Sequence, residues 1–371
     1  MTQPAILVTG ATGKTGGAIV TGLLAKGIRV RAMVRRRDAR SEALEALGAE
    51  TAVADIFDPD QLTAAMRGVK RAYYVPPMHP YAIQSAAAFA AAAREAKLEA
   101  IVQMGQWLSH RNHPAIMTRQ TWLMDKMFAE LQGIAHTILN PGMFADNFLR
   151  TIDFATLLGV FPVLSGEGKA APVSNEDIAL TAIAVLMAPD LHHGKTYRPT
   201  GPKLLSGRDM AAAIAKVTGR RVRAVDLPFR MFSKVARRQG VDPFQISILR
   251  RYMEDMKHGA FAFEGGVTDT VEALTGSAAE SFEDTVRRYA ALPFARRSVA
   301  RRVKAFADFM RTPLLPGYNL DRLERQWRLP VPPEQSFAMK DARWRSEHTR
   351  LMAQQPRVLF EQEAPLLRAV S

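Results

Sequence analysis

Thr9-Gly10-Ala11-Thr12-Gly13-Lys14-Thr15-Gly16 is the segment of this 371-residue chain with the clearest chemical content. It follows the apolar run Ile6-Leu7-Val8 and precedes a stretch with helical spacing, the context in which such glycines bind a dinucleotide. Gly10 permits a tight turn, Gly13 lets backbone amides approach a pyrophosphate, and Gly16 allows a helix to pack closely on the strand. The helix N-terminus adds unpaired N–H groups and positive potential, with Thr12, Lys14 and Thr15 beside it. The blander reading is a strand–turn–helix whose glycines serve geometry alone. The spacing does not make a Walker A loop.

About 20 residues further on, the second β-type run ends in Val34-Arg35-Arg36-Arg37, with no acid before Asp38. An acid there would bind a ribose 2′-hydroxyl, whereas arginine accommodates a 2′-phosphate. Arg35 and Lys14 near one phosphate favour NADP(H) over NAD(H), against the alternative of a solvated basic turn. Asp55, after the third run, is placed to meet the adenine amino group.

Ligands of open α/β sheets bind at the carboxyl ends of the strands. Val75-Pro76-Pro77 and Met104-Gly105 end two further runs and are expected at the cofactor. His79 and Tyr81 would border the entrance, as proton donors or only as lining. Trp107, Trp122, Met143 and Phe144 offer apolar walls for a flat substrate. His110-x-x-His113 has helical spacing but no third ligand and no glutamate, and His192-His193 falls in a loop. Both pairs read as solvated, so no metal is expected. No Gly-x-Ser-x-Gly nucleophile motif is present.

These residues need a scaffold, and the first half alternates β-type runs with helical stretches. Runs at 6–9, 29–34, 51–54, 72–75, 100–104 and 136–139 make six strands. Asp58-Pro59-Asp60 reads as a helix start and Gly27 as a helix stop. The fold class is α/β: a Rossmann-type doubly wound parallel sheet, a smaller mixed C-terminal substrate domain and a helical extension. The divisions are 1–150 for the dinucleotide domain, 151–295 for the smaller domain, which can share the sheet edge, and 296–371 for the extension. Residues 159–171 read as a loop or short hairpin, 228–292 as mostly helical, and Ser206 as an N-cap.

With 47% hydrophobic residues the chain has ample material for packed cores, which excludes a disordered tail or linker. No cysteine is present, which excludes disulfides, thiolate catalysis and iron–sulfur clusters. The net charge of +14 suits anionic ligands without naming one. The most apolar stretch, 82–93, is too short and alanine-rich to span a bilayer, and no leader pattern opens the chain, so a cytoplasmic protein is the expectation. Residues 296–371 carry 15 Lys and Arg against 8 Asp and Glu, with Trp327 and Trp344. Phe306, Phe309 and Met310 recur at helical spacing, which predicts a helix burying one apolar face and an extension packed on the body or on a second subunit, helping to close the substrate cleft. A solvated basic extension is the alternative. Nucleic acid is not expected, because basic charge alone is weak evidence.

The glycine turn, Arg35, Trp122-x-x-x-Lys126, Asn140-Pro141-Gly142-x-Phe144 with Asn147, and Asp177-Ile178-Ala179 together resemble the atypical short-chain dehydrogenase/reductase superfamily. The narrower resemblance is to its NmrA-like group of quinone oxidoreductases, triphenylmethane reductase-like enzymes and redox-sensing regulators. It covers roughly residues 4–292; the extension resembles nothing recognised. The resemblance implies that Asn140, Pro141, Gly142 and Met143 meet the cofactor, that Phe144 and Asn147 face substrate, and that Lys126 bonds the nicotinamide ribose. One departure matters. The parent superfamily places a proton-donating tyrosine four residues before that lysine. Here Trp122 stands there, and an indole does not titrate usefully. The usual serine after the fifth strand is also missing. The expected activity is NADPH-dependent hydride transfer to an acceptor that needs no strong protein acid, such as a quinone, a conjugated aromatic or an enone. A homodimer is compatible with that reading. The alternative is a non-catalytic regulator that senses NADP(H).

Overall fold

The computed structural model describes residues 4–358. Its first half is β1 (Ala5–Val8), α1 (Lys14–Ala25), β2 (Val30–Val34), α2 (Ala39–Ala46), β3 (Glu50–Val53), α3 (Pro59–Met66), β4 (Val69–Tyr74), α4 (Ala82–Glu95), β5 (Ala100–Met104), α5 (Ile116–Ala129) and β6 (Ala135–Leu139). Every residue of β1 and β5 is buried, as strands covered on both faces require. The helix boundaries follow local chemistry. The Asp58 carboxylate accepts from the backbone of Asp60 and Gln61 with Pro59 in the first turn, and Gly27, at φ +72°, takes the left-handed step after α1.

The chain continues through α6 (Ala145–Leu149), β7 (Val160–Val163), α7 (Asn175–Met187), α8 (Pro189–His192), β8 (Thr196–Tyr197), α9 (Gly207–Thr218), β9 (Arg223–Asp226), α10 (Phe229–Arg238), α11 (Pro243–Lys257), α12 (Thr270–Thr275) and α13 (Phe282–Ala290). The main sheet has the order β3-β2-β1-β4-β5-β6-β8, all pairs parallel. It therefore has seven strands where the first-half alternation predicts six; β8 adds at the edge, with Thr196 opposite Ile138. The segment at 159–171 is not a hairpin. β7 pairs in parallel with β9, Val160 opposite Arg223, across the intervening α7 to α9. Gly159, at φ +72°, lets the two backbones meet, since a Cβ there would lie 2.8 Å from the Arg221 carbonyl oxygen. Ser206 caps α9 as expected, in a reciprocal box with Asp209.

One sheet face is packed by α1 and α7 through Ile19, Leu23, Ile178 and Ile183, the other by α3 to α5 through Leu62, Phe89, Met124 and Phe128. A third core, with Leu149, Phe161, Met210, Ile214 and Phe282, joins the later elements. Among the described residues no helix is long and apolar enough to cross a membrane.

The extension forms α14 (Val299–Arg311), α15 (Leu320–Trp327) and α16 (Ala342–Ala353). Its two ends behave differently. α16 packs on the body, with Trp344 2% exposed and part of the third core, and Trp327 at the end of α15 packs edge-on against Phe244. α14 does not bury the apolar face expected of it. Ala305 is its only buried residue, while Phe306 and Met310 are 58% exposed. Its neighbour, the turn at 154–158, reaches only one side of it, with Phe154 edge-on to Phe309.

α16 also buries His348 beside the Arg198 guanidinium, Nδ1 lying 2.6 Å from it. Burial, with help from Arg198, pushes this imidazole down to about 3. A folded-state value below the unfolded one means stability that is present above pH ~6.5 and lost as pH falls through the folded value. His136, held at about 4 by burial, adds to that loss; Asp125, raised to about 7 by burial, opposes it below neutrality. Between pH 6.5 and 4.5 His348 alone should cost about 2–3 kcal/mol at ~1.4 kcal/mol per unit. Denaturant titrations should therefore show a shallower acid limb for His348→Gln than for the parent; parallel limbs would refute the assignment.

Candidate functional site

At the end of β1 the glycine turn has the geometry its spacing predicts. Gly10 sits at φ +60°, and a Cβ there would lie 2.6 Å from Val75 Cγ1. A Cβ on Gly16 would strike the Gly10 carbonyl, so only glycine lets α1 approach the strand this closely. Thr9 Oγ1 accepts from the Val75 N–H at 2.9 Å and ties the ends of β1 and β4 together. α2, α3 and α7 begin under side-chain caps from Asp38, Asp58 and Ser174. α1 has Gly13 at its N-cap, no side-chain cap and no acid in the first turn. Its leading N–H groups and dipole are thus left for an anion, as a pyrophosphate site requires.

Arg35 stands exposed at the end of β2, with no hydrogen bond or ion pair among the described residues. Lys14 does not join it. Its ammonium forms an ion pair with Asp146 and lies 3.0 Å from the Tyr289 hydroxyl, which itself donates to Asp146. Asp146 belongs to α6, after β6, and β6 lies on the opposite side of β1 from β2. The two cations therefore diverge. Thr15 Oγ1 donates to Asn175 Oδ1 at 2.7 Å, while Thr12 is half-buried within the turn. Asp55 is exposed after β3, and its carboxylate accepts from the Phe57 N–H at 3.0 Å.

The ends of β4, β5 and β6 carry the next group. Pro76 is buried and Pro77 half-buried; His79 and Tyr81 are exposed on the following loop, their rings in a row with Phe57 at 5.1 and 5.6 Å. Met104 is buried, and Gly105 has no room for a side chain because Asn140 Oδ1 occupies that space. This Asn140 oxygen is buried without a hydrogen-bond partner. Beyond buried Pro141, the Gly142 N–H donates to the Pro199 carbonyl, the Met143 carbonyl accepts from Val173, and Phe144 bridges Val173. Asn147 Nδ2 lies 3.6 Å from Met143 Sδ.

Two residues named with this site, Trp122 and Lys126, lie elsewhere, and a third, Trp107, is buried in the same core as Met143. The Trp107 indole N–H donates to the Ala260 carbonyl at 3.0 Å, and its ring is stacked on Phe261. Trp122 is half-buried between the cations of Arg111 and Lys126. Lys126 is 58% exposed and faces Glu347 of α16 at 3.8 Å. The reason is helix geometry. α5 runs back from the carboxyl edge, and Lys126 lies ten residues past its first residue, Ile116, or about 15 Å along the axis. The first histidine pair is not solvated: His113 Nε2 lies 2.6 Å from Asp255, and His110 sits between the Leu108 and Ser336 carbonyls. Of the second pair, His193 is exposed and accepts from the His136 N–H, and His192 is half-buried beside the Tyr197 hydroxyl.

Sequence reasoning did not reach a polar network behind β5. Asp125 accepts from Gln103 at 2.7 Å and from Ser109 at 2.8 Å, and His136 bonds Gln103 Oε1 at 2.8 Å. Nor did it reach Asp146 and Tyr289 at Lys14. These partners are brought together by topology, and no local pattern announces them.

Residues 2–290 match the NmrA-like family. The NAD(P)H azoreductase of Xenophilus azovorans is 30% identical over 292 residues, 77% of this chain and 98% of the relative. Quinone oxidoreductase 2 of Escherichia coli is 29% identical over 227 residues, 58% of this chain and 76% of the relative. The solved NADPH complex of an Escherichia coli NADPH-dependent quinone oxidoreductase superposes with a TM-score of 0.66 at 25% identity, over 76% of this chain and 99% of that one. Citrobacter sp. triphenylmethane reductase shares the fold, with a TM-score of 0.68 at 23% identity over 78% of this chain and 100% of its own. The family match stops at residue 290, before α14 to α16. With a glycine turn open to an anion, a fold shared with the solved relatives and a family match over residues 2–290, the chain belongs to the NmrA-like family.

Proposed function

We propose that this protein transfers hydride from NADPH to an electron-poor conjugated acceptor such as a quinone or azo compound. The coarser statement, an NAD(P)H-dependent oxidoreductase, follows from its relatives. The observation that carries the cofactor reading is the uncapped α1 N-terminus, with Arg35 exposed at the end of the neighbouring β2 and without a hydrogen bond or ion pair among the described residues. The free N–H groups of α1 would hold the pyrophosphate and Arg35 the 2′-phosphate. Bound there, the nicotinamide supplies the hydride. The ends of β4, β5 and β6 orient its ring, and Met143 and Phe144 supply apolar surface that excludes water.

With neither the tyrosine nor the serine of the parent superfamily's pattern in the sequence, the reaction suits acceptors whose reduced form takes its proton from water. The names of the azoreductase and quinone oxidoreductase relatives fit that class. Stopped assays with NADPH and a panel of quinones and azo dyes test this. Acceptor-dependent oxidation above a Gly16→Val control is expected, and none above it would refute the proposal.

Arg35→Ala should weaken NADPH binding by about 1.5–3 kcal/mol and leave NADH nearly unchanged. Equal losses for both cofactors would show that Arg35 does not select the 2′-phosphate. Lys126→Ala should leave kcat within about twofold, as for a surface residue remote from the reacting atoms. A loss of two orders of magnitude would restore the ribose role that the family resemblance implies.

A further inference from the structure

α16 closes a cavity of about 540 Å3 on the α5 side of β6 and β8, a volume suited to a small organic ligand. Trp122 of α5 and Trp344 of α16 both line it. Its lining includes no residue of the glycine turn, of the β2 end or of the loop after β4; of the segment after β6 it holds Asn140. Because α16 lies beyond residue 290, the family match does not include this wall.

Arg198 is the cavity's unusual feature. It is 2% exposed, yet no carboxylate lies within ion-pair distance among the described residues. One terminal nitrogen meets His348 Nδ1 at 2.6 Å, the other donates to the Trp107 carbonyl at 3.1 Å, and Nε has no partner. The nearby acids are engaged: Glu347 faces Lys126, and Asp125 accepts from Gln103 and Ser109. Burial lowers the guanidinium only to about 9, so it stays charged at neutral pH. The His348 imidazole stays neutral beside it and supplies an acceptor but no countercharge. The Trp107 ring lies 4.3 Å from the guanidinium but carries no countercharge, so an anion in the cavity would offset the cost of burying the cation. Lys195 and Arg350 add positive charge to the same lining, which also holds Asp125 and Glu347.

We infer that this cavity is a second site, for a small aromatic carboxylate. Its carboxylate meets Arg198 and its ring lies against the tryptophans. The site stands independently of the hydride-transfer reading, because binding is measured without turnover.

Calorimetric titration of the full chain with 4-hydroxybenzoate and 6-hydroxy-2-naphthoate, each beside its neutral amide, provides the test. The acids should bind saturably and raise Tm, and the amides should bind at least about tenfold more weakly, having lost the charge-assisted bond. Arg198→Gln should cost the acids a similar factor. If that variant does not fold, Ala129→Trp decides, since Ala129 lines the cavity from the exposed end of α5 and a large ring there would obstruct it. Loss of binding with unchanged cofactor affinity is expected for Ala129→Trp. Equal binding of acid and amide, undiminished binding to Ala129→Trp, or no binding of either acid would overturn the inference.

Discussion

Gly16→Val should abolish measurable NADPH binding, a loss of at least about two orders of magnitude, while lowering stability by roughly 1–3 kcal/mol as overpacking does. A Cβ at this position strikes the Gly10 carbonyl, and the further methyls of valine have nowhere to go between α1 and β1. The backbone must separate there. The α1 N–H groups then leave the register in which they face a pyrophosphate, so binding falls further than stability does. Gly27→Ala is the matched control. Gly27 follows α1 at a positive φ, +72°, and a Cβ there meets nothing within 4 Å. That change should cost about 1 kcal/mol and leave NADPH affinity intact. Fluorescence titration of NADPH against both variants distinguishes the roles. Retained affinity in Gly16→Val would show that the close helix–strand approach is not needed for the cofactor.

The contrast between these glycines shows what local sequence carries. Gly10, Gly13 and Gly16 announce their task because phosphate binding and helix packing fix residue type at short range. Asp58 and Ser206 start helices for equally local reasons. β7 and β9 could not be paired that way, since the partners are separated by α7 to α9 and each is only four residues long. Trp107, Trp122 and Lys126 failed in a different manner. Their types suit a substrate wall or a ribose contact, but the length of α5 and the cover supplied by α16 decide where they point. The clasp of Lys14, Asp146 and Tyr289 lies at the same limit, because its members stand 132 and 275 residues from Lys14. Arg198 was invisible for a related reason: nothing in Tyr197-Arg198-Pro199 says that a helix from 342–353 will bury it.

That dependence on α16 makes Trp344→Ala the most damaging change expected outside the cofactor turn, at about 3–5 kcal/mol. Trp344 packs within 4.6 Å, ring to ring, of His348 and 6.1 Å of Phe263, and it belongs to the same core as Met253, Met256 and Phe261. Removing it leaves a large void above Arg198. It also loosens attachments around it: the Ala338 N–H to Asp255 at 2.8 Å, and Gln355 to the Arg198 backbone at 2.8 Å. The extension should then become susceptible to trypsin at Arg345 and Arg350, and Tm should fall by several degrees, at about 1.3 °C per kcal/mol for a chain of this size. NADPH binding at the glycine turn should survive below the new transition, since no residue of that turn touches α16. The opposite face of the extension gives the control. Phe306→Ala, on the exposed side of α14, should move Tm by less than about 1 kcal/mol equivalent. An unchanged Tm and intact protease resistance in Trp344→Ala would mean that α16 rides on the surface and contributes nothing to the body beneath it.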